Sequence, residues 1–318
     1  MGPRCLLLVL VSRGLIYICS SFLFLILSVL GTSHTGGYSH SSVVYALKEC
    51  GYRLIDTAKR YGTETFIHHA IVESGVAREQ LFLTTKLWPT DFGHERTLEA
   101  LKGSINRLGV DYLDLFLIHY PKVSAACAEN KWQLLGETWR ALELAYDQGD
   151  LVRAIGVSNY SVDDLERTAP YTSMMPLLNQ IEFHPYQQPT ELIDYCAENR
   201  IQIQGYCPLG SGNLVNSEPV VQIANACQRT AAQVLIRWSL QHQVPTIPKS
   251  TKRERVRENI NVFDFELTEQ QMDRLDRLAI ESGNQIKFIE LDIEEKIDEN
   301  KPDGYKLDQS LKDNLFQS

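Results

Sequence analysis

The sequence lacks paired-cysteine motifs and any excess of basic residues. Its seven cysteines are scattered, with no C-x-x-C pair among them, which is typical of free thiols in a reducing compartment rather than of a disulfide framework or a zinc site. The formal net charge is −9, which argues against nucleic acid or an anionic membrane as the main partner, since both attract basic surfaces. No internal repeat or low-complexity linker divides the chain. We therefore expect a single cytoplasmic domain that holds no metal and binds no nucleic acid.

The N-terminus carries the longest apolar run of the chain. Residues 6–30 are almost wholly apolar, and Arg4 precedes them. The part from Leu15 to Leu30, which contains Ser20, Ser21 and Ser28, is a little short of the ~20 residues needed to cross a bilayer. A signal peptide or a membrane anchor through residues 5–30 is one interpretation of this segment.

From residue 39 onward, short strand-like runs alternate with helical patterns, which predicts a parallel sheet of the α/β class. A closed (β/α)8 barrel needs eight strands, and Phe24–Leu30, followed by Gly31 and Thr32, is the candidate for the first. A membrane helix that used this run would leave an open sheet edge, so the membrane interpretation is not favoured. The other predicted strands are Tyr52–Asp56, Leu81–Lys86, Tyr112–His119, Val152–Ser158, Leu178–Glu182, Gln202–Tyr206 and Val244–Pro248.

This pattern divides the chain into three parts. Residues 1–23 form an atypical apolar N-terminal segment, and residues 24–280 form the eight-stranded barrel as one domain. Residues 281–318 are rich in Asp, Glu and Lys and poor in aromatic residues. We expect this acidic C-terminal tail to be a peripheral helix or partly disordered.

Four proton-active side chains follow the ends of three neighbouring predicted strands. Asp56 ends one strand and has Tyr61 in its loop, while Lys86 and His119 end the next two. Working residues of (β/α)8 barrels lie at these carboxyl ends. Each residue alone has an ordinary explanation, as a turn cap, a solvated lysine or a buried histidine. Their common location makes a shared site the better interpretation.

One reaction accounts for all four residues. A tyrosine hydroxyl has an ordinary pKa of ~10, too high for easy proton donation at neutral pH. Lys86 is expected to lower the pKa of Tyr61, and Asp56 can balance the lysine charge. His119 can hydrogen-bond and orient a carbonyl oxygen. The residues therefore predict hydride addition to a carbonyl carbon while Tyr61 protonates the oxygen.

From about Gly31 to Leu278 the chain resembles the aldo-keto reductase family. The segments that carry the resemblance are GYRLIDTAKRYGTE at 51–64, TTKLW at 84–88, DYLDLFLIHYP at 111–121, IGVSNYS at 155–161, NQIEFHP at 179–185, GYCPLG at 205–210 and IPKSTKRERVRENINVFDFEL at 247–267. The resemblance implies a monomeric, NADPH-dependent reductase of small-molecule aldehydes or ketones. It also implies that Asp56, Tyr61, Lys86 and His119 are its catalytic tetrad.

The resemblance further implies which residues bind NADPH, although the chain has no G-x-G-x-x-G motif. The nicotinamide carboxamide would be bound by Ser158, Asn159 and Gln180, and the nicotinamide ring would stack on Tyr206. The pyrophosphate would be covered by Leu209 and Ser211, and the 2′-phosphate would be clamped by Lys249, Ser250 and Arg255. Adenine would be contacted by Glu258 and Asn259, while Gly31 and Thr32 would lie near the cofactor. Without the resemblance, the basic run KSTKRERVR at 249–257 could equally be a solvated helix face.

Trp88, together with His119, is the candidate for contacting the substrate, although rim packing explains Trp88 equally well. Phe92 and Trp132 are weaker candidates for the pocket wall.

The chain departs from the family at both ends and at one site residue. The N-terminal hairpin signature of the family is absent, and the tail lacks a recognisable substrate loop. Cys207 stands where the family usually has Ser, which suggests sensitivity of cofactor binding to thiol oxidation. Two alternatives to an active reductase are a cofactor-binding regulatory subunit similar to potassium-channel β-subunits, and an inactive isoform whose barrel does not close.

Overall fold

Eight parallel strands form the wall of a (β/α)8 barrel. The computed structural model describes residues 9–11, 14–16, 29–33, 37–283 and 285–289. Each barrel strand pairs with the next along the chain, and the Gly31 N–H donates to the Pro248 carbonyl at 3.1 Å, which brings the first strand against the last. The strands are β3 (Val29–Gly31), β4 (Leu54–Asp56), β5 (Phe82–Leu87), β6 (Leu115–Ile118), β7 (Ile155–Ser158), β8 (Leu178–Glu182), β9 (Gln202–Tyr206) and β10 (Thr246–Ile247). The predicted fold class is confirmed, and residues 24–28 of the predicted first strand lie outside the described residues.

Helices connect the strands, and local capping signals explain several of their ends. Ser161 closes a capping box with Asp164, as its sequence position predicts. Gly51, with φ at +77°, follows the first helix in the left-handed region that glycine adopts without strain. The helices are α1 (His40–Glu49), α2 (Glu64–Ser74), α3 (His94–Leu108), α4 (Lys131–Gln148), α5 (Val162–Thr168), α6 (Thr190–Glu198), α7 (Glu218–Cys227), α8 (Ala231–Gln241), α9 (Arg253–Ile260), α10 (Glu269–Asp276) and α11 (Leu278–Glu281).

The main core lies between the barrel wall and the surrounding helices. One continuous apolar cluster joins Ile55 and Phe116 of the strands to Ile67, Leu101 and Trp139 of the helices. Burial of these side chains holds the strands in one arrangement, so that their carboxyl ends form a common edge.

A short hairpin lies at the N-terminus. Val9–Val11 (β1) pairs antiparallel with Gly14–Ile16 (β2), so a hairpin precedes the barrel although the family's hairpin signature is absent from the sequence. The signal for it was the polar pair Ser12-Arg13 between two short apolar runs. No helix within the described residues is long and apolar enough to cross a membrane. Most of the run 5–30, on which the membrane interpretation rests, lies outside those residues.

Candidate active site

The four proton-active residues meet at the carboxyl ends of β4, β5 and β6. The Lys86 Nζ donates to Asp56 Oδ1 at 2.6 Å and to the Thr57 carbonyl at 2.9 Å. The same nitrogen lies 3.5 Å from the Tyr61 hydroxyl. The imidazole of His119 lies edge-on to the Tyr61 ring, with 5.7 Å between the ring centroids. Because β4, β5 and β6 are neighbours in the sheet, these four residues, which come from three separate segments of the sequence, lie in one cluster.

Burial controls the protonation of this cluster. Lys86 has no exposed surface and Asp56 is 4% exposed. Burial lowers the pKa of Lys86, and the charge of Asp56 opposes that shift. Burial raises the pKa of Tyr61 well above its ordinary value, and the charge of Asp56 adds to the rise. The net shift of the Tyr61 pKa is therefore upward, opposite to the expected lowering, because burial and the Asp56 charge dominate it. Tyr61 is held protonated at neutral pH, as a proton donor must be.

Aromatic rings surround the His119 imidazole. The ring stacks on Tyr120 at 4.9 Å between centroids and meets the edge of Trp88 at 5.3 Å. The guanidinium carbon of Arg60 lies 5.1 Å from the Trp88 ring centroid, on the side of the ring face. Trp88 thus lies beside His119, where a wall of the substrate pocket would have to be.

The two weaker pocket candidates lie in different surroundings. Phe92 is buried in the main hydrophobic cluster. Trp132 is half-buried at the start of α4, with the Lys131 Nζ 4.2 Å and the Arg167 guanidinium carbon 5.5 Å from its ring centroid. The Phe92 ring therefore packs in the core, and the Trp132 ring packs against the Lys131 and Arg167 side chains.

The residues expected to bind nicotinamide form a second hydrogen-bonded group on β7, β8 and β9. The Asn159 side chain donates to the His119 carbonyl at 2.9 Å and accepts from the Tyr206 hydroxyl at 2.8 Å. The Ser158 hydroxyl donates to the Gln180 carbonyl at 2.8 Å. Asn159 adopts a φ of +63°, which turns its side chain toward these partners. The Asn159 side chain consequently bridges the His119 carbonyl and the Tyr206 hydroxyl.

Gln180 contacts the proton-active cluster directly through Asp56. Its Nε2 donates to Asp56 Oδ2 at 2.8 Å and to Gln204 Oε1 at 2.9 Å. The sequence analysis missed Gln204. The signal for it was the alternation of Gln202, Gln204 and Tyr206 along β9, which puts these polar side chains on one face of a barrel strand.

A basic cavity lies at the seam between the first and last strands. Its lining residues include Gly31, Thr32, Lys249 and Ser250. An extra Cβ on Gly31 would lie 2.9 Å from the Ile247 Cγ2, so only glycine fits at this point of the seam. An ammonium and hydroxyl groups around an open cavity suit a phosphate.

The other residues expected at the adenine end lie on α9. Arg255 is exposed, Glu258 is half-buried and Asn259 is buried. The Glu258 carboxylate accepts from the Thr230 hydroxyl at 2.7 Å. The helix thus carries three exposed cations, Arg253, Arg255 and Arg257, and a buried amide close to the following turn.

Residues 29–280 match the family model described as the aldo/keto reductase family. The chain belongs to the aldo/keto reductase family. It is 46% identical to the glyoxal reductase of Bacillus subtilis, over 76% of this chain and 84% of that protein. It is 44% identical to an uncharacterised oxidoreductase of Caenorhabditis elegans, over 87% of this chain and 84% of the relative. The crystal structure of a Bombyx mori aldo-keto reductase in complex with NADP is similar, with a TM-score of 0.74 and 27% identity, and covers 91% of this chain and 96% of that one. This aldo-keto reductase chain is therefore an oxidoreductase.

The loop after β9 contains the family departure at Cys207. Its thiol lies 3.5 Å from the Ser211 hydroxyl, and both residues have φ near +55°. Leu209, between them, is half-buried. Burial raises the pKa of the Cys207 thiol, and the thiolate is the reactive form. The structure thus gives no support to the oxidation hypothesis for Cys207.

The described part of the tail runs over this same loop in the aldo-keto reductase barrel. The buried carboxylate of Glu182 accepts from the Phe288 N–H at 2.6 Å and from the Ile289 N–H at 3.3 Å. A Cβ added to Gly210 would lie 2.8 Å from the Phe288 ring, so the two residues are in close contact. Residues 285–289 form no helix and contact the barrel through Glu182 and Gly210, while the acidic run from Glu290 lies outside the described residues.

Proposed function

We propose that this chain reduces aldehydes or ketones to alcohols with NADPH and that Tyr61 donates the proton. The observation that carries the proposal is the buried arrangement of Asp56, Lys86 and Tyr61, in which Lys86 Nζ is 2.6 Å from one partner and 3.5 Å from the other. The glyoxal-reducing relative supports the substrate class. The NADP complex of the Bombyx mori relative supports the cofactor.

Each member of the site has a role in this reaction. A bound NADPH would supply the hydride to the carbonyl carbon. The carbonyl oxygen would accept hydrogen bonds from Tyr61 and His119. An alkoxide is a much stronger base than a phenolate, so Tyr61 gives up its proton readily despite its raised pKa. Lys86 then stabilises the phenolate, and Asp56 keeps Lys86 charged and in place. The Trp88 ring limits access of water to the carbonyl.

The residues that would hold NADPH are those assigned by the family resemblance. The carboxamide would meet Gln180 and its neighbours, the nicotinamide ring would stack on Tyr206, and the 2′-phosphate would occupy the basic cavity at the barrel seam. The proposed cofactor residues are Gly31, Thr32, Ser158, Asn159, Gln180, Tyr206, Leu209, Ser211, Lys249, Ser250, Arg255, Glu258 and Asn259.

The proposal includes a monomer located in the cytoplasm, with residues 24–280 as its catalytic domain. The cysteines of the described residues carry no disulfide, as expected of a protein in a reducing compartment. A sizing column tests the monomer, because a channel-type regulatory subunit would elute as a tetramer.

The deciding experiment measures NADPH consumption by the purified full-length chain with glyoxal and with a reactive aromatic aldehyde. Tyr61→Phe should lower kcat by about 10²–10⁴-fold and keep NADPH affinity, because only the hydroxyl is lost. Tyr160→Phe is the matched control, since Tyr160 is also buried but is not among the proposed site residues. Wild-type kcat in Tyr61→Phe would refute the proton donor. NADPH binding without turnover would favour the regulatory subunit, and no binding would favour the inactive isoform.

A further inference from the structure

The side-chain amides of Gln204 and Gln180 form a buried hydrogen-bonded pair. Gln204 belongs to β9, two residues before Tyr206, and is 5% exposed. Its Oε1 accepts the hydrogen bond from Gln180 Nε2 at 2.9 Å. Neither a cofactor contact nor a catalytic contact is assigned to Gln204 above. Its own contact in the site is through Gln180.

The chemistry of the two partners determines how the Gln180 amide is oriented. An amide nitrogen carries two hydrogens and an ionised carboxylate can only accept, so Nε2 must face Asp56 Oδ2, 2.8 Å away. The second hydrogen is used by Gln204. Both N–H groups are therefore occupied, and Gln180 Oε1 is left as an acceptor for a ligand.

We infer that Gln204 is a positioning residue for the nicotinamide carboxamide. By taking the second N–H of Gln180, it holds the amide plane so that Gln180 Oε1 can accept from the NH₂ group of the carboxamide. The inference rests on the proposed function, because it requires NADPH as the cofactor. Without Gln204, the Gln180 side chain would pivot about a single hydrogen bond to Asp56 and leave a buried N–H unpaired.

The same chain of hydrogen bonds reaches the proton donor. Asp56 uses Oδ2 for Gln180 and Oδ1 for Lys86, and Lys86 lies beside the Tyr61 hydroxyl. A cofactor whose carboxamide is correctly held therefore shares one hydrogen-bond network with the group that protonates the product. This network explains why a buried position of β9 carries the polar side chain of Gln204.

The test compares three ligands by their binding to the full-length protein. These are NADPH, its acetylpyridine analogue, in which an acetyl group replaces the carboxamide and no NH₂ is present, and adenosine 2′,5′-bisphosphate, which reports only the adenine end. Wild type should bind NADPH about tenfold tighter than the analogue, since one hydrogen bond to a buried acceptor is lost. In Gln204→Met this ratio should fall toward one, while affinity for the bisphosphate stays at the wild-type value.

Two further variants separate positioning from a general structural role. Gln204→Glu keeps an acceptor for Gln180 and should retain the preference for NADPH. Gln202→Met is the matched control on the same strand, since Gln202 donates to the Ile203 carbonyl rather than to Gln180, and it should leave all three affinities unchanged. Adding Gln204→Met to Gln180→Met should cause no further loss of preference, because Gln204 acts through Gln180.

The outcomes distinguish the inference from the proposed function. If Gln204→Met keeps the wild-type ratio, Gln204 does not position the cofactor, and the proposed function stands. If the wild-type protein does not bind NADPH, the proposed function itself fails. If Gln204→Met also loses the bisphosphate, its fold is disturbed and Gln204→Glu decides, with loss of the NADPH preference in that variant overturning the inference.

Discussion

The Lys86 ammonium and the Asp56 carboxylate form a buried ion pair, with Nζ 2.6 Å from Oδ1. Burial alone would favour the neutral form of Lys86, and the charge of Asp56 opposes this. Lys86 also lies next to the Tyr61 hydroxyl, so the charge state of the pair determines how easily a phenolate can form. The pH dependence of catalysis should therefore report on this pair.

The first prediction concerns the alkaline limit of activity. Burial lowers the pKa of Lys86 from its ordinary 10.5, so kcat/KM should begin to fall at a lower pH than the pKa of an exposed lysine. Asp56 raises the pKa of both Lys86 and Tyr61, so Asp56→Asn should move the alkaline limb to still lower pH. The measurement is kcat/KM across the neutral and alkaline range, with Asp111→Asn, an exposed carboxylate, as control. If the alkaline limb of the kcat/KM profile stays in place or moves to higher pH in Asp56→Asn, the Lys86–Asp56 pair does not set the alkaline limit.

The second prediction concerns closure of the barrel. Gly31→Ala places a Cβ 2.9 Å from Ile247 Cγ2 and 3.3 Å from the Pro248 carbonyl oxygen. Overpacking of this kind costs about 1–3 kcal/mol, and the urea midpoint of unfolding should fall accordingly. Gly103→Ala is the control, because Gly103 lies inside α3 beside the end of the flexible Arg107 side chain. There alanine should be neutral or stabilising by about 0.5–1 kcal/mol. Equal midpoints for the two variants would show that the seam tolerates a side chain.

The third prediction concerns the choice between NADPH and NADH. Lys249 lines the seam cavity together with Ser250. If the 2′-phosphate binds there, Lys249→Met should raise the Kd for NADPH about 10- to 100-fold, since it removes a charge-assisted hydrogen bond. The Kd for NADH should hardly change. Lys252→Met, at an exposed position of the same segment, should leave both values near wild type. An equal loss of NADPH and NADH affinity would place the 2′-phosphate elsewhere.

The fourth prediction concerns the C-terminal segment. Phe288 packs against Gly210 and beside His184, with 5.1 Å between the His184 and Phe288 ring centroids. If the 207–212 loop covers the cofactor, Phe288→Ala should free it and raise the NADPH dissociation rate several-fold, measured by stopped-flow fluorescence. Ile286→Ala is the control, because that side chain is partly exposed. Unchanged dissociation in Phe288→Ala would mean that the tail packs on the loop without restraining it.

Strand positions were predictable, whereas their exact ends were not. The predicted bounds of Leu178–Glu182 and Gln202–Tyr206 match the structure, but the predicted Tyr112–His119 shortens to Leu115–Ile118 and Val244–Pro248 to Thr246–Ile247. An apolar run continues into residues that do not pair, because the length of a ladder depends on the neighbouring strand. The polar helix α10 was not predicted, since Leu275 is its buried residue and the segment offers few apolar positions to a pattern search.

The sequence by itself determined the fold class and the identity of the four proton-active residues. Strand–helix alternation dictates a parallel barrel, and the carboxyl ends of its strands must converge on one mouth. Only the tertiary structure decided the direction of the Tyr61 pKa shift, the place of Gln204 and the course of residues 285–289. The first depends on burial and on a balancing charge from another strand. The bond from Gln180 to Asp56 joins residues 124 positions apart. A local pattern carries no information about such contacts, because they arise when separate strands are packed into one closed wall.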